Sequence, residues 1–316
     1  MDVRFGIIGL GGIASKFATD LADTPGGELY GVASKSSERA NEFAAKFGAK
    51  NIYENYETLV RDPNIDIVYI AVTHNWHYDV IKLCLENGRP VLCEKPMVLH
   101  EKQAAELAVL AKEKNLLLME AMWTRCNPAV RKAREWIETG RIGKLRFINA
   151  SFCFSSPYNP EHRLYNPALA GGALYDVGVY VIEFASGMTG ENPDAVSGLL
   201  SRAPNGVDDF ASISLSYPGG ALAGLSCGLT AQTRQDAWIY GDDGHVFIEN
   251  FYAADSCQLY DNRQNLVDRF STEHGGRFIY EIAHVIDLIR TGQKESALIP
   301  LRDTIATAKV FDTLLG

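Results

Sequence analysis

The chain has 316 residues, a formal net charge of −9 at pH 7, and 47% hydrophobic and 22% charged residues. This composition is typical of a globular protein and excludes a disordered chain, a collagen, a coiled coil and a disulfide-rich miniprotein. The length predicts two domains, and the excess of acidic over basic residues argues against nonspecific binding to nucleic acid or to an anionic membrane surface.

In residues 1–120, short apolar runs alternate with helical patterns. The predicted strands are Val3–Ile8, Glu28–Ala33, Ile65–Val72, Pro90–Cys93 and Leu116–Glu120. The predicted helices are Ile13–Ala22, Glu38–Phe47, Thr58–Arg61, His77–Glu86 and His100–Lys114. Regular strand–helix alternation is typical of a parallel, doubly wound sheet with right-handed crossovers. Residues 1–120 are therefore expected to form an α/β domain of the Rossmann type.

From residue 121 the pattern changes to long alternating runs. The predicted strands are Lys144–Phe154, Ala195–Leu200, Asp208–Tyr217, Ala221–Thr230, Asp236–Tyr240 and Gly244–Glu249. Turn signals such as Pro218-Gly219-Gly220 separate them, which is typical of antiparallel hairpins. Two helices, Arg277–Arg290 and Leu301–Leu314, are predicted to follow. We expect residues 121–316 to form an α+β domain with a large, mostly antiparallel open sheet.

The small residues of this sheet indicate a subunit interface. Ser212-Ile213-Ser214-Leu215 alternates small polar with apolar residues, and Ala221–Thr230 adds Ala, Gly, Ser and Cys side chains. One face should pack on helices, and an open face of small residues can pair with a second copy. We therefore expect a homodimer formed through the C-terminal sheet.

The cysteine and hydropathy patterns predict a cytoplasmic protein. The six cysteines form no C-x-x-C pair and show no metal-ligand spacing with histidine, so neither a disulfide framework nor a metal site is expected. There is no run of 18 apolar residues that would span a membrane. The first apolar stretch, Phe5–Leu10, is too short for a secretory signal and leads directly into a glycine-rich segment.

That glycine-rich segment predicts a dinucleotide site. Gly9, Gly11 and Ala14 form G-x-G-x-x-A between the first strand and the first helix. Gly9 permits a tight turn, Gly11 lets the backbone approach a pyrophosphate, and Ala14 allows the helix to pack closely on the strand. The backbone of Gly12 and Ile13 opens the helix whose N-terminus would face the anion. The alternative is a purely structural tight turn.

The end of the second strand favours NADP over NAD. A carboxylate at this place would bind the ribose 2′-OH and repel a 2′-phosphate. The chain instead has Ser34, Lys35 and Arg39, with two more serines between them, and hydroxyl and cationic groups suit a phosphate. The alternative is that Lys35 is an ordinary solvated lysine and that NAD is also accepted.

Two segments carry candidate catalytic groups. Glu94-Lys95-Pro96 follows a predicted parallel strand, and ligands bind at the carboxyl ends of such strands. An ammonium there can stabilise a developing alkoxide and favour ionisation of a neighbouring acid. Asp176 and Tyr180 lie four residues apart in a predicted helix opened by two glycines. Aimed at Lys95, they would form a proton-handling cluster; the alternative is that Tyr180 is an ordinary core tyrosine.

Taken together, these residues resemble the Gfo/Idh/MocA family, the glucose–fructose oxidoreductases and inositol dehydrogenases. The resemblance includes the glycine loop, Thr73-x-Asn75-x-His77, Glu94-Lys95-Pro96, the Gly-Gly…Asp176-x-Gly178 helix and the closing Tyr280-Glu281-Ile282 segment. Most members have histidine where this chain has Tyr180. The tyrosine at this position, together with Trp123 and Arg125, makes the chain similar to one branch of the family, the dimeric dihydrodiol dehydrogenases and the NADP-dependent D-xylose dehydrogenases.

The resemblance implies roles for individual residues. Lys95 corresponds to the family's catalytic lysine, Asp176 to its helix aspartate and Tyr180 to its acid/base position. The expected cofactor contacts are Gly9, Gly11, Gly12, Ile13, Ser34, Lys35, Arg39, Thr73, Asn75, His77, Glu94, Lys95, Trp123 and Arg125. The loop before the catalytic helix contains Tyr158, His162 and Arg163, which are candidates for the substrate site.

The implied activity is hydride transfer between a nicotinamide and the carbinol or carbonyl carbon of a sugar, a polyol or a trans-dihydrodiol. The sequence does not choose among these substrates. One alternative is an NADP-binding regulator of the same fold without catalytic activity, and another is an enzyme similar to biliverdin reductase. Retention of Lys95, Asp176 and a titratable Tyr180 favours the dehydrogenase.

Overall fold

The computed structural model describes residues 2–316, which divide into two compact units. The first unit comprises the residues up to Val98, Lys102–Trp123 and Arg277–Leu301. The second unit comprises Leu99–Glu101, Thr124–Gly276 and Arg302–Gly316. The predicted boundary near residue 120 thus has a counterpart after Trp123, but the chain returns to the first unit near its end, which the sequence-based division did not anticipate.

The first unit is built on a six-stranded parallel sheet of the order β3-β2-β1-β4-β5-β6. Its strands are β1 Val3–Ile8, β2 Gly27–Ala33, β3 Asn51–Tyr53, β4 Ile67–Ile70, β5 Val91–Glu94 and β6 Leu118–Ala121. Its first helices are α1 Gly12–Ala22, α2 Ser37–Phe47, α3 Tyr56–Arg61, α4 His77–Glu86 and α5 Glu101–Lys114. All carboxyl ends of a parallel sheet share one edge, so the residues that follow β1, β2, β4 and β5 come to the same side.

The second unit is built on an eight-stranded sheet of the order β14-β13-β12-β11-β7-β10-β9-β8. Its strands are β7 Leu145–Cys153, β8 Ala195–Arg202, β9 Asp208–Ser216, β10 Leu222–Gly228, β11 Ala237–Gly241, β12 Gly244–Ile248, β13 Ser256–Asp261 and β14 Leu266–Ser271. Among these pairs β7–β10 is parallel and the others are antiparallel. The α/β class with a mostly antiparallel second sheet is therefore confirmed.

The remaining helices are α6 Trp123–Cys126, α7 Pro128–Glu138, α8 Val179–Thr189, α9 Ile279–Thr291 and α10 Leu301–Leu315. Helix α9 explains the return of the chain to the first unit, since its apolar face buries Ile282 and Val285. Just before α9, Arg277 donates hydrogen bonds to Asp20 and Asp23 of α1 and the segment after it, and the Phe278 N–H donates to Asp20. Burial of this apolar face against the Rossmann sheet therefore assigns α9 to the first unit, although the helix is far from that sheet in the sequence.

The helical stretch Pro167–Thr189 passes a test of length and apolarity for a membrane span, but most of it is buried inside the second unit. Within α8, every residue from Val179 to Met188 is buried. This stretch is therefore a buried core element of the second unit, and α8 packs against β7 and β10 of the eight-stranded sheet. No other helix among residues 2–316 passes the same test.

Candidate cofactor and catalytic residues

The glycine loop has the geometry that a bound pyrophosphate needs. Gly9 has φ +88°, and a Cβ there would lie 2.6 Å from the backbone of Ala71, so only glycine fits. At Gly11 and Gly12 the space that a Cβ would fill is open to 4 Å. No side chain caps the start of α1 and its first turn holds no acidic residue, which leaves its N–H groups available to an anion. The loop therefore fits a dinucleotide.

At the end of β2, cationic and hydroxyl groups replace the usual carboxylate. Ser34 is buried and its hydroxyl accepts the Ser36 N–H at 3.2 Å, while Ser36 caps α2 by accepting the N–H of Arg39. The Lys35 ammonium lies 4.2 Å from the centroid of the Trp76 ring, a cation–π contact. Trp76 lies in the short helix after β4 and is 44% exposed. Sequence reasoning did not single out Trp76, because an isolated exposed aromatic carries no pattern.

The loop after β4 holds three of the expected cofactor residues. The Thr73 hydroxyl donates to the side-chain carbonyl of Asn75 at 2.7 Å. The His77 ring is fully buried, with Nδ1 2.8 Å from the Pro96 carbonyl and Nε2 3.1 Å from the Val72 carbonyl. Burial lowers the pKa of His77, so the ring is neutral at pH 7. Because the neutral ring carries one N–H, it donates to one of these two backbone carbonyls, and His77 supports the loop.

Lys95 lies on a buried turn directly after β5. The Lys95 N–H donates to a side-chain oxygen of Glu94, whose other oxygen accepts the hydroxyl of Tyr69. The Lys95–Pro96 bond is cis, and the next N–H, of Met97, donates to Glu120 at 2.8 Å. Lys95 is itself partly exposed, whereas Pro96 and Met97 are buried.

Another buried carboxyl of the first unit, that of Glu281, lies close enough to Glu94 for the two groups to interact electrostatically. Glu281 of α9 is fully buried and neither of its oxygens has a hydrogen-bond partner. Burial, reinforced by the charge of Glu94, raises the pKa of Glu281 well above the usual range. Nearby, Trp123 packs on Phe278 with ring centroids 5.3 Å apart, and the Lys16 ammonium lies 4.4 Å from the Phe278 ring.

In the second unit, the predicted catalytic helix opens with a π-helical turn at Leu174–Gly178 before α8 begins. The pattern had predicted an ordinary α-helix. Asp208 accepts the Leu174 N–H at 2.7 Å, and its carboxylate occupies the place that a Cβ at Gly172 would need, so the chain enters this turn where only glycine fits. Such turns are frequent at functional sites. Asp176 lies on this turn and is 6% exposed.

Asp176 meets a residue of the loop that precedes the helix. Arg163 donates to Asp176 across 2.8 Å, and the arginine side chain is 53% exposed. Of the other two loop candidates, His162 is exposed and Tyr158 packs edge-on against Tyr165 with centroids 5.2 Å apart. The structure thus brings Arg163, of the three loop candidates, to Asp176.

Tyr180 stands beside two aromatic rings of the second unit. Its ring lies 5.2 Å from Phe152 of β7 and 6.1 Å from Tyr252, and these two rings stack on each other at 4.2 Å. Tyr180 is 7% exposed. Sequence reasoning missed Phe152 and Tyr252, because they lie on separate elements and only the fold brings them to Tyr180.

Arg125 occupies a buried ion network. Its guanidinium donates to Glu183 of α8 at 2.8 Å and to Asp303 of α10 at 2.7 Å, and Glu183 also accepts the hydroxyl of Thr307. All four side chains are buried. Because one nitrogen of this buried guanidinium donates to two buried carboxylates, its position supports a structural role that ties α6, α8 and α10 together.

Comparison with known proteins extends the likeness over the whole chain. Residues 3–122 match the profile of an oxidoreductase family with an NAD-binding Rossmann fold, and residues 130–247 match the Gfo/Idh/MocA C-terminal domain. Trans-1,2-dihydrobenzene-1,2-diol dehydrogenase from Mus musculus is 34% identical over 320 residues, which covers 99% of this chain and 96% of the relative. The enzyme of that name from Homo sapiens is 33% identical, with the same coverage.

Solved structures share the fold. A levoglucosan dehydrogenase complexed with NADH and levoglucosan superposes with a TM-score of 0.91 at 23% identity, covering 99% of this chain and 96% of the other. A 3-ketoreductase from Actinomadura kijaniata, complexed with NADP and TDP-benzene, has a TM-score of 0.87 at 25% identity, with coverage of 99% and 97%. The two domain matches and the full-length identity to named dehydrogenases agree: the chain belongs to the Gfo/Idh/MocA family of NAD(P)-dependent oxidoreductases.

Proposed function

We propose that this chain is an NADP-dependent dehydrogenase that interconverts a secondary carbinol and a carbonyl on a cyclic diol or sugar, with Lys95, Asp176 and Tyr180 as its catalytic residues. The observation that carries the proposal is the Lys95 turn. A lysine that projects from a turn whose backbone is held by side-chain hydrogen bonds, at the carboxyl edge of a dinucleotide-binding sheet, has a catalytic use, whereas a cofactor-binding regulator has no need of it.

The chemistry divides between the cofactor and the chain. When bound, the nicotinamide supplies the hydride acceptor. As the carbinol C–H bond breaks, Tyr180 takes the hydroxyl proton, and in reduction it returns that proton. The Lys95 ammonium stabilises negative charge on the substrate oxygen.

Asp176 and Arg163 orient the substrate in this proposal. Their ion pair has a buried carboxylate and a half-exposed guanidinium, so the pair offers both an acceptor and donors to neighbouring hydroxyl groups. The stacked rings of Phe152 and Tyr252 offer a flat apolar surface beside Tyr180. A ring with hydroxyls on one side and C–H or unsaturated carbon on the other matches both features, in agreement with the names of the relatives.

The proposal is tested by absorbance at 340 nm with NADP and a panel of trans-dihydrodiols, aldoses and inositols. We expect reduction of NADP with at least one cyclic diol or sugar. Tight binding of NADP without turnover of any panel member, in either direction, would contradict the proposal and favour the regulator.

Lys35 is the proposed determinant of NADP preference. We expect the wild-type chain to have a higher kcat/KM with NADP than with NAD, because its ammonium and the neighbouring serines suit the 2′-phosphate. Lys35→Asp should reverse this order by placing a carboxylate where the ribose 2′-OH binds. Steady-state kinetics with both cofactors measure the ratio, and Lys82→Asp, on the exposed face of α4, is the matched control. A wild-type preference for NAD would contradict the assignment.

The open face of the eight-stranded sheet is the proposed dimer interface. The pairing register places Phe147 between Leu222 and Tyr240, and all three side chains are exposed, Leu222 to 54%. Trp238 stacks beside Tyr240 with centroids 6.1 Å apart, which extends the apolar surface. A continuous apolar row on a flat sheet indicates an interface, and a second copy provides the same surface in return.

Leu222→Glu should therefore convert the protein to a 35 kDa monomer, because it places a charge in this exposed apolar row. Sedimentation velocity measures the result. Val109→Glu, on an exposed site of α5 that is 57% accessible, is the control and should leave the oligomer intact. A wild-type protein that sediments only as a monomer at micromolar concentration would contradict the proposed interface.

We place this activity in the cytoplasm. All six cysteines are unpaired and buried, and burial raises the pKa of several of the thiols, Cys257 to about 12. Buried thiols that remain protonated suit a reducing compartment.

A further inference from the structure

The turn that carries Lys95 is held by side chains from several separate elements of the first unit. The Lys95 N–H is bound by Glu94 of β5, which in turn accepts the hydroxyl of Tyr69 from β4. The next carbonyl, of Pro96, lies 2.8 Å from His77 Nδ1 of α4. The Met97 N–H donates to Glu120 of β6, also at 2.8 Å. Three consecutive residues thus each have one backbone polar group bound to a side chain.

These partners are themselves rigidly placed. Glu120 is 1% exposed and His77 is fully buried, and each projects from a regular element whose own backbone is fixed. The turn lies beyond the end of β5, so no strand ladder satisfies its backbone groups. A buried N–H or carbonyl without a partner is costly, so the side chains select the one backbone path that satisfies all of them.

His77 extends this arrangement to the neighbouring loop. Its Nε2 lies 3.1 Å from the Val72 carbonyl, at the end of the segment that follows β4. The neutral ring has one N–H, and the shorter distance favours donation to the Pro96 carbonyl. The ring therefore sets the distance between the Lys95 turn and the loop that holds Thr73 and Asn75.

We propose that Glu120 and His77 are positioning residues for Lys95. They act through the backbone of the Lys95 turn and not on substrate or cofactor. The inference rests on the catalytic role of Lys95 proposed above. An ammonium that stabilises charge on one oxygen works only if its Cα is held in place, and misplacement of a catalytic group by about 1 Å can cost on the order of 100-fold in rate.

The first test compares Glu120→Leu with Glu120→Gln. The leucine removes the acceptor for the Met97 N–H, and we expect kcat to fall by about 10- to 100-fold. The Kd for NADP, measured by quenching of tryptophan fluorescence, should change by less than about threefold. Glutamine retains a side-chain carbonyl, so Glu120→Gln should recover most of kcat. Asp66→Leu is the matched control, because Asp66 accepts the Arg4 N–H at the opposite edge of the same sheet.

The second test separates positioning from a general structural effect. In a Lys95→Ala background, Glu120→Leu should cause almost no further loss of kcat, because no ammonium remains to be misplaced. His77→Leu, run through the same cycle, provides an independent variant if Glu120→Leu does not fold. A full, additive loss in the Lys95→Ala background would overturn the inference while leaving the catalytic role of Lys95 intact.

Two further outcomes are informative. Unchanged kcat in folded Glu120→Leu and His77→Leu would also overturn the inference alone. Normal turnover of Lys95→Ala would instead overturn the proposed catalytic role, and with it the need to position that lysine.

Discussion

Tyr180→Phe should lower kcat by about two orders of magnitude or more, in line with the usual contribution of general acid–base catalysis. The substitution removes one oxygen and keeps the ring, so the contacts with Phe152 and Tyr252 remain and the fold should persist. The loss should appear in kcat in both directions, because the same hydroxyl accepts the proton in oxidation and returns it in reduction. The Kd for NADP should change little, which fluorescence titration measures.

Tyr175→Phe is the matched control for this experiment. Tyr175 lies in the π-helical turn just before the helix that carries Tyr180, and its ring packs edge-on against Phe311 with centroids 5.2 Å apart. We expect its kcat to remain within about threefold of wild type. Near-normal turnover of Tyr180→Phe would transfer the acid–base role to another group, with Lys95 and His77 the first to examine.

Lys95→Ala should produce a loss of similar size for an electrostatic reason. Without the ammonium, negative charge on the substrate oxygen loses its stabilising partner. We expect kcat to fall by about 100-fold or more, which rapid-mixing and steady-state kinetics measure.

Small primary amines provide a sharp control for Lys95. Ethylamine in the assay should restore part of the lost activity of Lys95→Ala, because it replaces the missing ammonium, and it should have no effect on Tyr180→Phe. Lys82→Ala, in the exposed part of α4, should retain full activity. Loss of NADP binding in Lys95→Ala, with normal turnover at saturating cofactor, would show that the lysine binds cofactor only.

Local patterns were sufficient for much of the architecture. The strand–helix alternation predicted the parallel sheet, and the long alternating runs with glycine turns predicted the second sheet. Three strands were not predicted. β3 has only three residues, and most of β14 faces solvent on both sides, so neither shows a hydrophobic pattern. In β13 only Cys257 and Leu259 are buried, which is a short apolar signal. Helix α9 was predicted, but not the unit to which it belongs, since that depends on which apolar surface its buried face meets.

The candidate residues divide in the same way. Gly9, Lys95, Asp176 and Tyr180 were found because each lies in a short motif whose spacing has a chemical meaning. Arg125 was expected to contact the cofactor. In the structure its guanidinium forms ion pairs with Glu183 and Asp303. These carboxylates are 58 and 178 residues away, a separation at which sequence spacing carries no information.

The sequence by itself therefore determined the class of sheet, the glycine cradle for a dinucleotide and the candidates for the proton-handling groups, because these depend on residues close together in the chain. Only the tertiary structure shows that Glu120 and His77 bind the backbone of the Lys95 turn and that Phe152 and Tyr252 pack next to Tyr180. It also decides that α9 belongs to the first unit. These arrangements follow from burial and hydrogen-bond satisfaction among distant segments, which only the folded chain brings together.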